Sequence, residues 1–250
     1  MFSSDYIFLF YILLPLVAFL YAAVGHGGAS GYLALMIIFS FPEGEMKSTA
    51  LILNICVSAI AFASYLYQKH FDLRIFFMVG IISIPAAFFG GRMDVNDQIF
   101  KKILGVILLI AILKLLGLFN LKKKETDQLN KPNLYLALLI GAGIGFLSGL
   151  LGIGGGILLT PLLLFLRWTT VKVAAGISAL FIFVNSVSGL IGQISEDKMI
   201  LNEKIGLLAI LAVCGGLLGG DLGSSKLNNV VLRYLLAIVL LIATYKLFFN

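Results

Sequence analysis

Two glycine-rich segments interrupt the hydrophobic runs of this 250-residue chain, and they occupy corresponding places in its two halves. In lipid, an unwound backbone is tolerated only where protein or water satisfies its N–H and C=O groups. Paired interruptions at matching positions indicate the substrate site of a transporter. The first break reads Gly25, His26, Gly27, Gly28, Ala29, and the second, 127 residues later, reads Gly152, Ile153, Gly154, Gly155, Gly156.

The chemistry that these breaks could support is anion binding. A helix N-terminus presents unpaired N–H groups and roughly half a positive charge, and short helices beginning near Ala29 and Gly156 would point such ends at the breaks. All 12 acidic residues fall in predicted loops or at segment ends, whereas a cation exporter or a carboxylate proton relay would place one inside the membrane. The alternative is that the glycines only let helices pack closely.

Three polar side chains accompany the glycines. His26 is the only ionisable residue within either break; it could carry a proton with the anion or sense pH, or it could be a neutral, hydrogen-bonded histidine. Asn54 and Asn185 lie midway along the third predicted segment of each half. An unpaired amide in lipid costs about 1–3 kcal/mol, so both should face the bundle interior and either donate to an anion or link helices.

We therefore predict a substrate-binding site without catalytic residues, metal or cofactor. Cys56 and Cys214 lack metal-ligand spacing, and we expect both to be small buried packing residues. The predicted site residues are Gly25, His26, Gly27, Gly28, Asn54, Gly152, Gly154, Gly155, Gly156 and Asn185.

Composition places the elements that carry these residues in a membrane. The chain is 60% hydrophobic and 12% charged, whereas a soluble domain carries about 25% charged residues. The first six residues contain no Lys or Arg, so we expect a retained transmembrane helix rather than a secretory signal. The lysine cluster at 122–124 and Lys131 indicates a cytoplasmic loop, and without interleaved aromatic residues it does not indicate nucleic-acid binding.

Ten apolar segments are predicted, and about 20 residues are needed to cross a bilayer. Two of them are short, directly follow a glycine break and are expected to be half-helices or re-entrant segments. The ten segments are 7–24, 29–41, 48–67, 75–91, 103–119, 134–151, 156–166, 173–193, 205–220 and 231–249.

An internal repeat extends beyond the glycines. The run Thr49-Ala50-Leu51 matches Ser178-Ala179-Leu180, and the pair at 90–91 matches that at 219–220. We predict a first transmembrane repeat over 1–120, a charged connecting loop over 121–133 and a second repeat over 134–250. Five segments per half would invert the repeats, whereas four spans per half would keep them parallel. The Lys and Arg distribution leans toward a cytoplasmic connecting loop with both termini outside.

These motifs resemble the TauE/SafE family of sulfite exporter-like permeases. The resemblance rests on the duplicated break, Thr-Ala-Leu-Ile-Leu-Asn at 49–54, Ser-Ile-Pro-Ala-Ala-Phe-Phe-Gly-Gly at 83–91 and Ser-Ala-Leu-Phe-Ile-Phe-Val-Asn-Ser at 178–186, and it covers nearly the whole chain. The first break departs from the family pattern at Ala29, where a third glycine is common. The resemblance implies a multi-pass inner-membrane transporter of sulfite, sulfoacetate or related organosulfonates.

Two other classes of protein compete with this function. An intramembrane enzyme would need an embedded Asp pair, Ser–His pair or His-Glu-x-x-His motif, and the second histidine, His70, lies in a predicted charged loop; we therefore predict a protein that is not an enzyme. An anion channel stays open, because helix-end anion sites also serve channels. The expected partners are a small anion, a proton if transport is proton-linked, and the lipid bilayer.

Overall fold

The computed structural model describes residues 4–93 and 129–225, together with scattered residues between 96 and 113 and residues 241 and 245. The described part is helical and contains no strand. Its helices are α1 (Ser4–Ala23), α2 (Ala29–Ile38), α3 (Glu43–Tyr67), α4 (Leu73–Arg92), α5 (Leu134–Leu151), α6 (Gly156–Phe165), α7 (Val171–Ile194) and α8 (Ile205–Ser225).

Helix length separates two kinds of element. Five helices, α3, α4, α5, α7 and α8, are long and apolar enough to cross a membrane. The helices α2 and α6 have 10 residues each, about 15 Å, or half of a bilayer's hydrocarbon core. The predicted all-α, multi-pass membrane class is thus confirmed. The predicted segments at 103–119 and 231–249 lie mostly outside the described residues, and the internal repeat stays a prediction.

Local sequence explains where two of the helices begin. The Asp72 side chain accepts hydrogen bonds from the backbone N–H groups of Arg74 and Ile75, at 2.9 and 3.1 Å, and so caps α4. Asn133 caps α5 in the same way, through Leu136 N at 3.2 Å. Such caps satisfy N–H groups that have no partner within the helix.

The two central helices, α3 and α7, run antiparallel. Near the start of α3, Ser48 donates to Gln193 at 2.6 Å, and in its middle Asn54 donates to Ser186 at 2.9 Å. Near its end, Tyr65 packs against the start of α7 at Gly176. Later residues of α3 therefore meet earlier residues of α7.

Close helix packing surrounds this pair. On α5, glycines at every fourth position, Gly141, Gly145 and Gly149, lie directly against backbone carbonyls of α4. A Cβ at any of them would collide with those carbonyls, so the two helices pack at a distance that only glycine allows. On α8, Gly215 and Gly219 lie against α1 in the same manner. Both helix pairs are parallel and flank the α3–α7 pair.

Candidate functional site

The chain between α1 and α2 turns sharply through the first break. Backbone N–H groups of Gly25 and His26 bond back to the end of α1, at 3.0 and 2.9 Å. Gly25 and Gly28 have φ values of +75° and +102°, a left-handed conformation that costs an L-residue about 1–2 kcal/mol. Tyr32 then folds over the break and donates to the Gly27 carbonyl at 2.9 Å.

The second break has a related backbone. Gly152 ends α5 with φ +72° and donates to the Ser148 carbonyl at 2.9 Å, a left-handed helix cap. Gly154 and Gly155 also have positive φ, +72° and +77°. Helix α6 begins at the next residue, Gly156.

Both breaks lie against one buried side chain, the carboxamide of Asn54. Its Oδ1 accepts from the first N–H of α2, that of Ala29, at 3.1 Å, and its Nδ2 donates to Ser186 on α7 at 2.9 Å. A Cβ atom added at Gly27 or at Gly154 would collide with this carboxamide. Asn54 is fully buried, so it holds the two breaks and α7 together in the interior.

The short helices begin at the middle of the long ones. Asn54, beside the start of α2, is the twelfth residue of the 25-residue helix α3. Ile182, which contacts the position of Gly156, is the twelfth of the 24 residues of α7. Each short helix then leads back to the start of its long helix. Because α3 and α7 are antiparallel, α2 and α6 extend from the centre toward opposite ends, and their N-termini meet in the middle.

His26 joins the first break to the second half of the chain. Its Nδ1 donates to the Val24 carbonyl at 2.9 Å, which fixes a proton on that nitrogen because a carbonyl oxygen only accepts. Its Nε2 lies 3.2 Å from the Thr160 hydroxyl on α6, and that hydroxyl lies 2.7 Å from the Ser178 hydroxyl on α7. The three side chains are buried and form one hydrogen-bonded chain.

Asn185 differs from its counterpart in the first half. Its Nδ2 donates within its own helix, to the Phe181 carbonyl at 2.7 Å, and its Oδ1 is buried without a partner. Exchanging the two amide atoms would set oxygen against oxygen, so this hydrogen bond fixes the orientation. Asn54 therefore bridges helices, whereas Asn185 does not.

Electrostatics at the site come mainly from neutral groups. Among the described side chains, no Asp, Glu, Lys or Arg is buried, and no group of three or more His, Cys, Asp or Glu residues in that part of the chain could hold a metal. The buried polar groups at the breaks are amides, hydroxyls, backbone N–H groups and His26. Such donors can take an anion from water without a neutralising cation.

Sequence reasoning missed several of these residues. Ser148 and Thr160 are single hydroxyls within apolar runs and carry no motif. Ser186 ends the run at 178–186 that carries the family resemblance, but it is not among the predicted site residues. One usable signal exists on α7, where Ser178, Ile182 and Ser186 recur at every fourth position and so share a helix face. The prediction that both cysteines are buried is wrong: Cys214 is exposed and Cys56 only half-buried, because both lie on helix faces that turn away from the core.

Comparison with known proteins identifies the family. The family described as Sulfite exporter TauE/SafE matches residues 10–247, almost the entire chain. The chain belongs to the TauE/SafE family. Its TauE/SafE relatives include the Probable membrane transporter protein y4hK of Sinorhizobium fredii, 35% identical over 232 residues, which span 92% of this chain and 94% of the relative.

More distant relatives carry the same description. A Probable membrane transporter protein of Methanocaldococcus jannaschii is 30% identical over 81% of this chain and 80% of its own length. The Probable membrane transporter protein YdhB of Bacillus subtilis is 27% identical over 84% of the chain and 87% of its own length. No solved structure matches. The family and these relatives make this TauE/SafE protein a membrane transporter, and the resemblance inferred from its motifs is confirmed.

Proposed function

We propose that this transporter carries small anions, most closely sulfite or another sulfur-containing anion such as an organosulfonate, across the inner cell membrane. The observation that carries the proposal is the meeting of two helix N-termini, those of α2 and α6, at the buried Asn54 carboxamide. Each N-terminus contributes N–H donors and a partial positive charge, so their fields add at the centre. A cation would be repelled there, whereas a small anion would be stabilised.

The positions of Asn54 and Ile182 along their helices support the same site. Asn54 and Ile182 mark the middle of two spanning helices, and secondary transporters bind substrate near the bilayer midplane at the interface of their repeats. The antiparallel course of α3 and α7 supports an inverted repeat, with the halves divided at the loop over 121–133. Alternating access would then move one half against the other about this fixed site.

A proton could travel with the anion through the His26 chain. When His26 is neutral, its Nε2 accepts from Thr160, and Thr160 accepts from Ser178. When His26 gains a proton, Nε2 becomes a donor, so Thr160 accepts from it and its own hydroxyl proton is released to donate to Ser178. Protonation in the first break can thereby reverse a hydrogen bond between α6 and α7. Such a reversal would couple proton binding to the arrangement of the second half.

An anion channel is the second candidate, because facing helix ends also serve pores. An intramembrane enzyme finds less support. The pair of Thr160 and His26 has the spacing of a nucleophile and its base, but His26 Nδ1 bonds to a backbone carbonyl rather than to a carboxylate. The hydroxyl of Thr160 also bonds to Ser178, so it is held within a structural chain.

Ligand-induced stabilisation of the purified protein tests the proposed substrate class. A ligand present at 100 times its Kd stabilises the protein that binds it by about 2.7 kcal/mol. We expect sulfite, sulfoacetate or thiosulfate to raise the melting temperature of the protein in detergent, with taurine and lactate as comparison ligands. If lactate alone stabilises it, the substrate is a carboxylate. If no anion stabilises the protein, the proposed site is wrong.

A further inference from the structure

The polar side chains of the first break, and the first N–H of its short helix, are paired within the protein. The first N–H of α2, that of Ala29, donates to the Asn54 Oδ1 atom at 3.1 Å. The Tyr21 hydroxyl, on the last turns of α1, is 2.8 Å from the Ser30 hydroxyl, so these two groups satisfy each other. Asn54 uses both atoms of its carboxamide. The first break is therefore closed by its own side chains.

The second break leaves the corresponding hydroxyl and first helix N–H without partners. Position 156 corresponds to 29, and the Gly156 N–H makes no hydrogen bond within the described part of the chain. The next N–H is unpaired in both breaks, at Ser30 and at Ile157. Position 148 corresponds to 21, and the Ser148 hydroxyl is fully buried without a partner. Position 157 corresponds to Ser30, the partner of Tyr21, but it holds isoleucine. The two breaks thus differ in the pairing of one hydroxyl and one N–H, and also in backbone, because Gly154 has φ +72° whereas Gly27, at the corresponding position, has no positive φ.

Ser148, which carries the unpaired hydroxyl, lies beside the start of α6. The Ser148 Cβ is 3.4 Å from the position that a Cβ of Gly155, the N-cap residue, would occupy. Phe181 contacts the same position, and Asn185, with its unpaired Oδ1, follows one turn later on that face of α7. Each buried, unpaired polar group costs about 1–3 kcal/mol, and native proteins rarely keep several together.

We propose that the second break alone binds the anion, through the N–H groups of Gly156 and Ile157 and the hydroxyl of Ser148. The first break does not bind the anion, because its polar side chains are already paired. Its Ala29 N–H holds the Asn54 side chain in place. The ligand is an oxoanion with at least two oxygens on one central atom. One oxygen accepts hydrogen bonds from the two helix N–H groups, and another accepts from the Ser148 hydroxyl. Sulfite, sulfonates and carboxylates share this chemistry. The inference rests on the proposed function and narrows its site.

The test removes one hydroxyl at a time from positions 148 and 21. Binding of sulfite, methanesulfonate and acetate to the purified full-length protein is measured by titration for wild type, Ser148→Ala and the matched control Tyr21→Phe. We expect Ser148→Ala to weaken binding about tenfold, the loss typical of one hydrogen bond to a charged group. Ser148→Thr, which keeps the hydroxyl, restores most of the affinity. Tyr21→Phe leaves the affinity unchanged.

Thermal stability gives a second readout that separates binding from folding. Ser148→Ala removes an unpaired buried group and should not lower the melting temperature of the ligand-free protein. Tyr21→Phe deprives Ser30 of its partner and should lower it. Equal affinity of Ser148→Ala and wild type, or an equal loss in Tyr21→Phe, would overturn this inference while leaving the proposed function intact. If wild type binds none of the three anions, both the inference and the proposed function fail.

Discussion

The Asn54 carboxamide contacts both glycine breaks and the central helix α7. It lies between Gly27 and Gly154, which belong to different halves of the chain, and it bonds to α2 and α7 at once. The sequence indicated that a mid-segment amide must face the interior, and the glycines around it were predicted from the duplicated pattern. The unpaired hydroxyl of Ser148 could not be predicted, because whether a buried serine has a partner depends on its neighbours in space.

His26 allows a residue-scale prediction about proton linkage. Replacing His26 by Gln keeps a side chain that can bond to Thr160 but removes the group that titrates near neutral pH. We expect His26→Gln to keep anion binding within about tenfold of wild type and to lose its dependence on pH between about 5.5 and 7.5. Binding titrations at four pH values in that range measure this.

The matched control for this variant is His70→Gln, which changes the second histidine, in the α3–α4 loop. That variant should keep the wild-type pH profile. The titratable side chains nearest to His26 along the chain are the tyrosines at 21 and 32, which stay neutral over this range. Were His26→Gln to follow the wild-type pH curve, His26 would be a packing residue, and the proton would have to travel on the anion itself.

At the scale of elements, the length and hydrophobicity of the apolar segments predicted the helices. The residues at the segment ends determine where each helix begins and stops. The first short segment was expected over 29–41, but α2 stops at Ile38. Ser40 has φ +54°, and Phe41 precedes a proline, which disfavours helical backbone at that residue. Helix α3 begins five residues earlier than the apolar run, because Glu43 and Glu45 suit a helix N-terminus.

The direction of the helices could not be read from hydrophobic patterns. A hydrophobic span is equally apolar in both directions, so the antiparallel packing of α3 and α7 appears only in their contacts. The glycine rows of α5 and α8 were visible in the sequence. Their partners were not, because helix pairing depends on which faces meet after folding.

Gly155 gives a prediction at the scale of the break. Leucine there would adopt a left-handed φ of +77° and place its Cβ 2.7 Å from Ile144 Cγ2, at the start of α6. We expect Gly155→Leu to abolish anion flux in proteoliposomes and to lower the melting temperature, while the protein still inserts in the membrane. Flux and inserted protein are measured on the same vesicles.

The control for Gly155→Leu is Gly143→Leu on α5. Gly143 is exposed, and a Cβ there would meet nothing within 4 Å. Leucine also has the higher helix propensity, so this variant should keep wild-type flux and stability. Wild-type flux in Gly155→Leu would show that the second break lies away from the transport path.

At the scale of the whole molecule, the inverted arrangement predicts the topology. If the halves are inverted, the lysine cluster at 122–124 is cytoplasmic and both termini are periplasmic. We expect a cysteine placed at Asn250 to react with a membrane-impermeant maleimide in intact cells, in a background lacking Cys56 and Cys214. That background is needed because Cys214 is exposed. Labelling of Asn250→Cys only after the cells are opened would favour parallel halves with four spans each.

Counterflow in proteoliposomes tests the central claim most directly, because it asks whether this TauE/SafE protein carries anions one at a time through a central site. Vesicles containing purified protein are loaded with unlabelled sulfite and diluted into a trace of ³⁵S-labelled sulfite. A carrier accumulates label transiently inside, the initial rate saturates with sulfite, and Gly155→Leu abolishes it while Gly143→Leu does not. Flux that never saturates, with discrete ohmic current steps in planar bilayers, would contradict the account and identify an anion channel.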